Sequence, residues 1–233
     1  MTTQFALPLE IIQTNRKKTA SIEIKNNSIK VIVPKTLSED RIKALIQQRA
    51  SWIEKKIRTQ AEMPPFRPKE YVNGEDFTYL GKNYRLKRIT SNTKETKLKN
   101  GYLHVPVNQN ASPSVQEKEI NASLTQWYTT HALKKLQQKT DRYAKQMNVT
   151  PRSVTVKDYK ARWGSCSTSG DITYNWKVIM APHRIVDYVV VHELAHLLEH
   201  NHSDKYWKHV ENMMTDFRER REWLKINANT LIV

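Results

Sequence analysis

The sequence predicts an α+β fold. A hairpin–helix region comes first, followed by a domain in which an apolar helix packs on a small antiparallel sheet. Three observations carry this reading. Apolar residues recur at period two around turn residues at 21–33 and 98–107. Helical stretches fill 39–57 and 114–147. The stretch Ile185–Leu198 is apolar nearly all round, as a buried helix is.

In chain order, Ile22, Ile24, Ile29, Val31 and Val33 alternate around Asn26-Asn27 and predict a hairpin from Ser21 to Val33. Thr36 or Ser38 is placed to cap a helix from Glu39 to about Ile57, with Ile42, Leu45, Ile46, Trp52 and Ile53 on its apolar side. Met63-Pro64-Pro65-Phe66-Arg67-Pro68 reads as a stiff linker. Phe77–Ile89 is a second hairpin turning at Gly81-Lys82-Asn83. Leu98–Val107 is a third, with Asn100-Gly101 at its tip, the strongest hairpin signal in the chain. It weakly repeats the pattern of Ile24–Val33. Ser114–Met147 is a long helix with Trp127, Leu133 and Leu136 as core contacts, and Tyr128 and His131 read as packing residues. Strands come next at Val154–Val156 and Ile172–Ile179, separated by a Trp163-Gly164-Ser165-Cys166 loop. The expected division is 1–62, a hairpin–helix region; 63–112, a linker with hairpins; and 113–233, the domain carrying the chemistry.

Composition sets bounds. The chain has 233 residues, enough for one large or two small domains, and one cysteine, which excludes an internal disulfide. No apolar run reaches the 18–20 residues of a membrane span. The N-terminus lacks the basic and apolar regions of a signal peptide. A cytoplasmic protein without a membrane partner is expected. The net charge is +16 and unevenly spread. Residues 1–100 carry 21 Lys and Arg against 10 Asp and Glu, residues 101–180 carry 11 against 5, and residues 181–233 carry 7 against 8. The basic excess in residues 1–180 suits nucleic acid or an acidic partner, and equally a solvated basic surface. No nucleic-acid-binding motif favours the former.

The chemistry lies in His192-Glu193-Leu194-Ala195-His196. Residues four apart share a helix face, so both imidazoles can reach one ion. A carboxylate beside them can take a proton from a water on that ion, which is the zincin signature of peptide hydrolysis. A charged pair inside so apolar a helix needs a partner, since burying polar groups alone costs several kcal/mol. His200 is excluded as third ligand, because eight helical residues from His192 rise about 12 Å while a zinc–nitrogen bond is about 2 Å. His202 is favoured, six residues after His196, with Asn201 supplying a left-handed turn. Carboxylates of the next helix, Glu211, Asp216 or Glu219, remain the alternative. The histidine spacing equals that of metzincins, but Glu199 stands where their turn glycine would be.

Arg162-Trp163-Gly164-Ser165-Cys166, Tyr174-Asn175-Trp176, Ala181-Pro182, Val189–His196, Asn201-His202-Ser203 and Tyr206-Trp207 occur in this order. This set resembles the YgjP-like metallopeptidase family, which is related to SprT-type proteases. The resemblance is close over roughly the last 75 residues, including the 218–224 tail, and looser upstream. Asp204 departs from the proline that often comes after the His-Ser of the third-ligand block. The resemblance implies one Zn²⁺ per chain held by His192, His196 and His202, with Glu193 as general base and a peptide or protein as substrate. Part of 162–176 is expected to border the cleft as a strand that pairs with substrate. Trp163, Asn175 and Tyr206 are the candidate cleft-lining residues, the last as an oxyanion donor or as packing for the helix after His202. Cys166 reads as a small buried thiol. Two other readings stay open. One is a nucleic-acid-associated, SprT-like protease. The other is a non-catalytic module stabilised by zinc with a closed fourth ligand position.

Overall fold

The computed structural model describes residues 5–25, 27–91, 93 and 95–233. The chain divides into two units, Met1–Pro64 and Pro65–Val233.

In the first unit, strands β1 (Leu9–Thr14), β2 (Ser21–Lys25) and β3 (Ser28–Pro34) form a sheet in the order β1-β3-β2. β2 and β3 are the expected hairpin; Asn26 of its turn lies outside the described residues, and Asn27 takes φ 55°. β1, which periodicity did not single out, runs parallel to β3. The helix expected over 39–57 is two helices, α1 (Glu39–Gln48) and α2 (Ala50–Glu62). They break at Arg49, whose amide is shared between the carbonyls of Leu45 and Ile46. Ser38 occupies the cap position of α1 without a side-chain cap bond. Ile24, Ile29, Val31, Val33, Ile42 and Ile53 form the core. Trp52, expected inside, is 45% exposed because the break at Arg49 resets the helix face after α1.

The second unit opens with β4 (Asp76–Tyr79), β5 (Lys82–Ile89), β6 (Lys97–Lys99) and β7 (Tyr102–Pro106), ordered β4-β5-β7-β6. Both expected hairpins are present. Asn100 and Gly101 take φ 51° and 81°, the two positive values a type I′ turn requires. The boundary expected near 112 does not separate this sheet from the rest of the unit. Phe77, Leu86, Leu103 and Val105 are buried in one core with residues of 120–231. Gly81 (φ 78°) shows why the sheet is tied down: a Cβ there would lie 2.8 Å from Pro182 Cα.

Helix α3 (Pro113–Met147) comes next, with Pro113 at its first position and Asn148 closing it in the left-handed conformation at φ 54°. Trp127 and Leu136 are buried as expected, whereas Leu133 is 42% exposed on the outer face of α3. Tyr128 is buried and donates to the Thr78 carbonyl at 2.9 Å. His131 stacks on Trp127 with ring centroids 4.0 Å apart.

β8 (Ser153–Lys157), β9 (Gly164–Cys166) and β10 (Asp171–Asn175) form a sheet in the order β8-β10-β9. The sheet is mixed, not antiparallel. β10 pairs antiparallel with β9 through the turn at Gly170 and parallel with β8 on its other side. The strand expected to reach Ile179 stops at Asn175, whose Oδ1 accepts from the Lys177 amide at 3.1 Å and starts a 3₁₀ turn over Trp176–Met180. Helix α4 (His183–Ala195) then crosses the core. Its Asp187 forms an ion pair with Lys139 of α3, whose Nζ lies 2.5 Å away. α5 (Asp204–Met213) and α6 (Phe217–Asn227) complete the unit. Among the described residues, no helix is long and apolar enough to cross a membrane.

Candidate metal centre

α4 presents nine buried residues, from Ile185 to Ala195, so it is held on most sides. His192 and His196 sit at its C-terminal end, where the helix gives way to tight turns: the amides of Leu197 and Leu198 donate to the carbonyls of Leu194 and Ala195, each at 3.0 Å. Asn201 is not the left-handed residue expected; the non-glycine residues with positive φ among those described are Asn27, Tyr71, Leu80, Asn100 and Asn148. Instead the Ser203 amide donates to the Asn201 carbonyl at 2.8 Å, and Ser203 Oγ accepts from the Tyr206 amide to start α5. This reversal returns His202 to the helix face it left.

The imidazoles of His192, His196 and His202 converge, with one nitrogen from each lying within 4.8 Å of the others. Neither His200 nor Glu211, Asp216 or Glu219 joins them. Glu211 pairs with Arg218 at 3.2 Å and Asp216 with Arg220 at 2.9 Å, so both are occupied elsewhere. Cys166 stays outside the cluster, half-buried, and burial pushes its thiol up to about 11.

The donor set fits zinc. His192 Nε2 and His202 Nε2 stand 3.3 Å apart; two nitrogens at about 2.0–2.1 Å from one tetrahedral ion lie about 3.3 Å from each other. His196 Nδ1 lies 3.2 Å from the Glu199 carbonyl, so its N–H points there and leaves Nε2 as the donor lone pair. Burial, and then the neighbouring histidines, pull His192 down to about 3, and burial also lowers His196 and His202. All three rings are therefore neutral near pH 7, the form that ligates a metal. His192 Nδ1 is buried without a partner among the described residues.

Glu193 is 4% exposed, and burial pushes its carboxyl up to about 8, against the opposing pull of Arg162. Gly164 of β9 lies directly against it: a Cβ at Gly164 would sit 2.5 Å from Glu193 Oε1. A cavity of about 310 Å³ opens beside Glu193 and His192, with Trp163 and Gly164 on one wall. β9 is the edge of its sheet, so the expectation that part of 162–176 borders the site falls on this strand.

The three candidate cleft residues separate. Trp163 lines the cavity. Asn175 does not. It is buried, and its Nδ2 donates to the carbonyls of Tyr159 and Arg162 at 2.9 and 3.1 Å, shaping the loop that leads into β9. Tyr206 is fully buried and spends its hydroxyl on the His192 carbonyl at 2.8 Å, while its ring packs 4.6 Å from those of His196 and His202. It supports the histidine cluster from behind. Sequence reasoning gave no role to Gly164, although a glycine inside a strand signals close approach by another group. Nor did it place Arg221 at the cavity, which Arg221 lines from α6; nothing in the local pattern distinguishes it from other surface arginines.

A family model described as YgjP-like, metallopeptidase domain, matches residues 18–227. Two solved structures of metallopeptidase zymogens are similar over part of the chain. Abylysin from Pyrococcus abyssi is 21% identical, with TM-score 0.36, covering 38% of this chain and 90% of that one. Jannalysin from Methanocaldococcus jannaschii is 20% identical, with TM-score 0.36, covering 42% of this chain and 97% of that one. No curated protein matches. With nearly its whole length matched, residues 192–202 included, this chain belongs to the YgjP-like metallopeptidase family.

Proposed function

We propose that the protein is a zinc-dependent peptidase in which His192, His196 and His202 hold the ion and Glu193 is the general base. The observation that carries this reading is the convergence of three neutral imidazoles beside a buried carboxylate at the mouth of a cavity. A bound zinc supplies a Lewis acid that makes water acidic near pH 7 and polarises a carbonyl.

The chain's own groups do the rest. Glu193 takes the proton of the attacking water and passes it to the leaving amine. Gly164 leaves the room in which that carboxylate turns. The open edge of β9 offers backbone groups to an extended peptide by strand addition, which lays the scissile bond beside Glu193. Tyr206 and the Glu199 carbonyl fix the imidazoles. Three protein ligands would leave a bound zinc one further position, as in catalytic rather than structural zinc sites. Cys166 lies outside the cluster, which supports an unclosed site.

The test is zinc content of the purified full chain beside His202→Ala. The reading expects roughly one zinc per chain in the wild type and a large loss in the variant. Zinc retained fully in the variant moves the third ligand elsewhere, and a wild type that takes up no zinc overturns the reading.

A further inference from the structure

The cavity beside Glu193 has an asymmetric lining. Its inner walls are apolar, formed by Trp163, Val189 and Leu224. Its polar rim is cationic: Arg162 stands on the β9 side, and Arg221 and Lys225 stand on α6. Glu193 is the one carboxylate of the lining, and in the peptidase reading it is engaged with the water.

Lys225 already has a partner, Glu222, at 2.6 Å. Arg221 and Arg162 have no ion pair with any described residue. Arg221 is held in place by its position over the Trp207 ring, 4.9 Å from the centroid. Trp207 stacks in turn on His202, with centroids 5.5 Å apart. This cation is therefore anchored next to the candidate ligands and remains open to a guest. A guanidinium with its fork free, at the edge of a largely apolar cavity, is a carboxylate receptor.

We propose that this cavity is a substrate subsite that takes a carboxylate next to the scissile peptide bond, with Arg221 as the specificity-determining residue and Arg162 as the second cation. The proposal rests on the peptidase reading and names the substrate class of that same site. The apolar walls accept the methylene stem of an acidic side chain, and the rim pairs with its charge. A lysine in this position meets two cations and is rejected. A free C-terminal carboxylate offers the same chemistry as a glutamate side chain.

Two measurements test it on the zinc-loaded full chain. The first compares kcat/KM on quenched-fluorescence peptides that differ in one residue flanking the cleaved bond, Glu, Gln or Lys, each made with a free and an amidated C-terminus. The wild type is expected to prefer Glu over Lys by about tenfold, as one charge-assisted hydrogen bond at a partly exposed site gives. Arg221→Gln is expected to collapse the ratio, and Arg221→Glu to turn it toward Lys. Preference that tracks the free C-terminus rather than the side chain assigns the carboxylate to the peptide terminus. Cleavage with no acid preference, or a preference that Arg221→Glu leaves intact, overturns the proposal and leaves the peptidase reading standing.

The second measurement needs no turnover. It monitors binding of the Glu and Lys peptides to Glu193→Gln by tryptophan fluorescence, since Trp163 lines the cavity. Tighter binding of the Glu peptide, lost on adding Arg221→Gln, supports the subsite even if no peptide is cut. Equal binding of the two peptides overturns it.

Discussion

Gly164 and Glu193 are in contact across the site, with a Cβ on Gly164 reaching within 2.5 Å of the Glu193 carboxylate oxygen and 2.7 Å of its Cγ. A strand glycine and a helix glutamate therefore share one small volume. Whatever fills it moves the carboxylate. Gly164→Ala is expected to keep zinc, because it touches none of the three histidines' converging nitrogens. Turnover should fall about 100-fold, the cost of misplacing a catalytic group by roughly 1 Å. Elemental analysis and peptide hydrolysis on the same preparation check this, and an alanine variant with full activity would show that the position of Glu193 does not matter.

Glu193→Gln removes the proposed base while preserving shape. Metal content is expected to stay at the wild-type level, and turnover to fall by at least about 100-fold. Full activity in this variant would sink the assignment of Glu193.

The same carboxylate makes stability depend on pH in the metal-free protein. Its pKa is raised from 4.5 to about 8 in the fold by burial, so the folded protein holds a proton that the unfolded chain releases. Its contribution is complete below pH 4.5 and is lost as pH rises through about 8. His192 acts in the opposite sense. Lowered from 6.5 to about 3, it withdraws stability as pH falls from 6.5 toward 3. Urea unfolding of chelator-treated protein between about pH 5 and 8 should show Glu193→Gln gaining on the wild type as pH rises. Parallel profiles would mean that Glu193 is not carried in a raised state.

Tyr206 distinguishes support from catalysis. Tyr206→Phe leaves the His192 carbonyl without its 2.8 Å donor. A loss of about 1–3 kcal/mol in stability is expected, with turnover changed only a few-fold. A loss of turnover comparable to removal of an oxyanion donor, about 100-fold or more, would put its hydroxyl on the substrate.

Asn175→Ala removes two donations to the loop before β9 and the cap of the 3₁₀ turn. A drop of about 2–4 kcal/mol in unfolding free energy is expected, because several buried groups lose partners at once. Thermal unfolding measures it, and a neutral result would mean that the loop is held by other contacts.

Much of this was legible in the chain, for local reasons. A spacing of four on a helix places two imidazoles on one face whatever surrounds them. The six residues from His196 to His202 are enough for a reversal, so the third histidine was readable even though the turn is made by the 194–203 hydrogen bonds and not by a left-handed Asn201. Asn100-Gly101 dictates its hairpin through the positive φ values that both residues tolerate. The helix break at Arg49 and the exposure of Trp52 were not readable, since the apolar spacing runs on across 49 without a glycine or proline.

The sequence by itself determined which three histidines and which glutamate are the candidates for holding a metal and moving a proton, and most strands and helices, because these depend on residues a few positions apart. Tertiary structure decided the rest. It paired β1 with β3 and β8 with β10 in parallel, left β9 at an edge, set Gly164 against Glu193, and turned Tyr206 and Asn175 inward to hold the histidine cluster and the loop. It also carried Arg221 to the rim of a cavity whose other wall is Trp163. These are contacts between segments far apart in the chain. They are chosen by which surfaces the whole core buries together, and no local spacing encodes that choice.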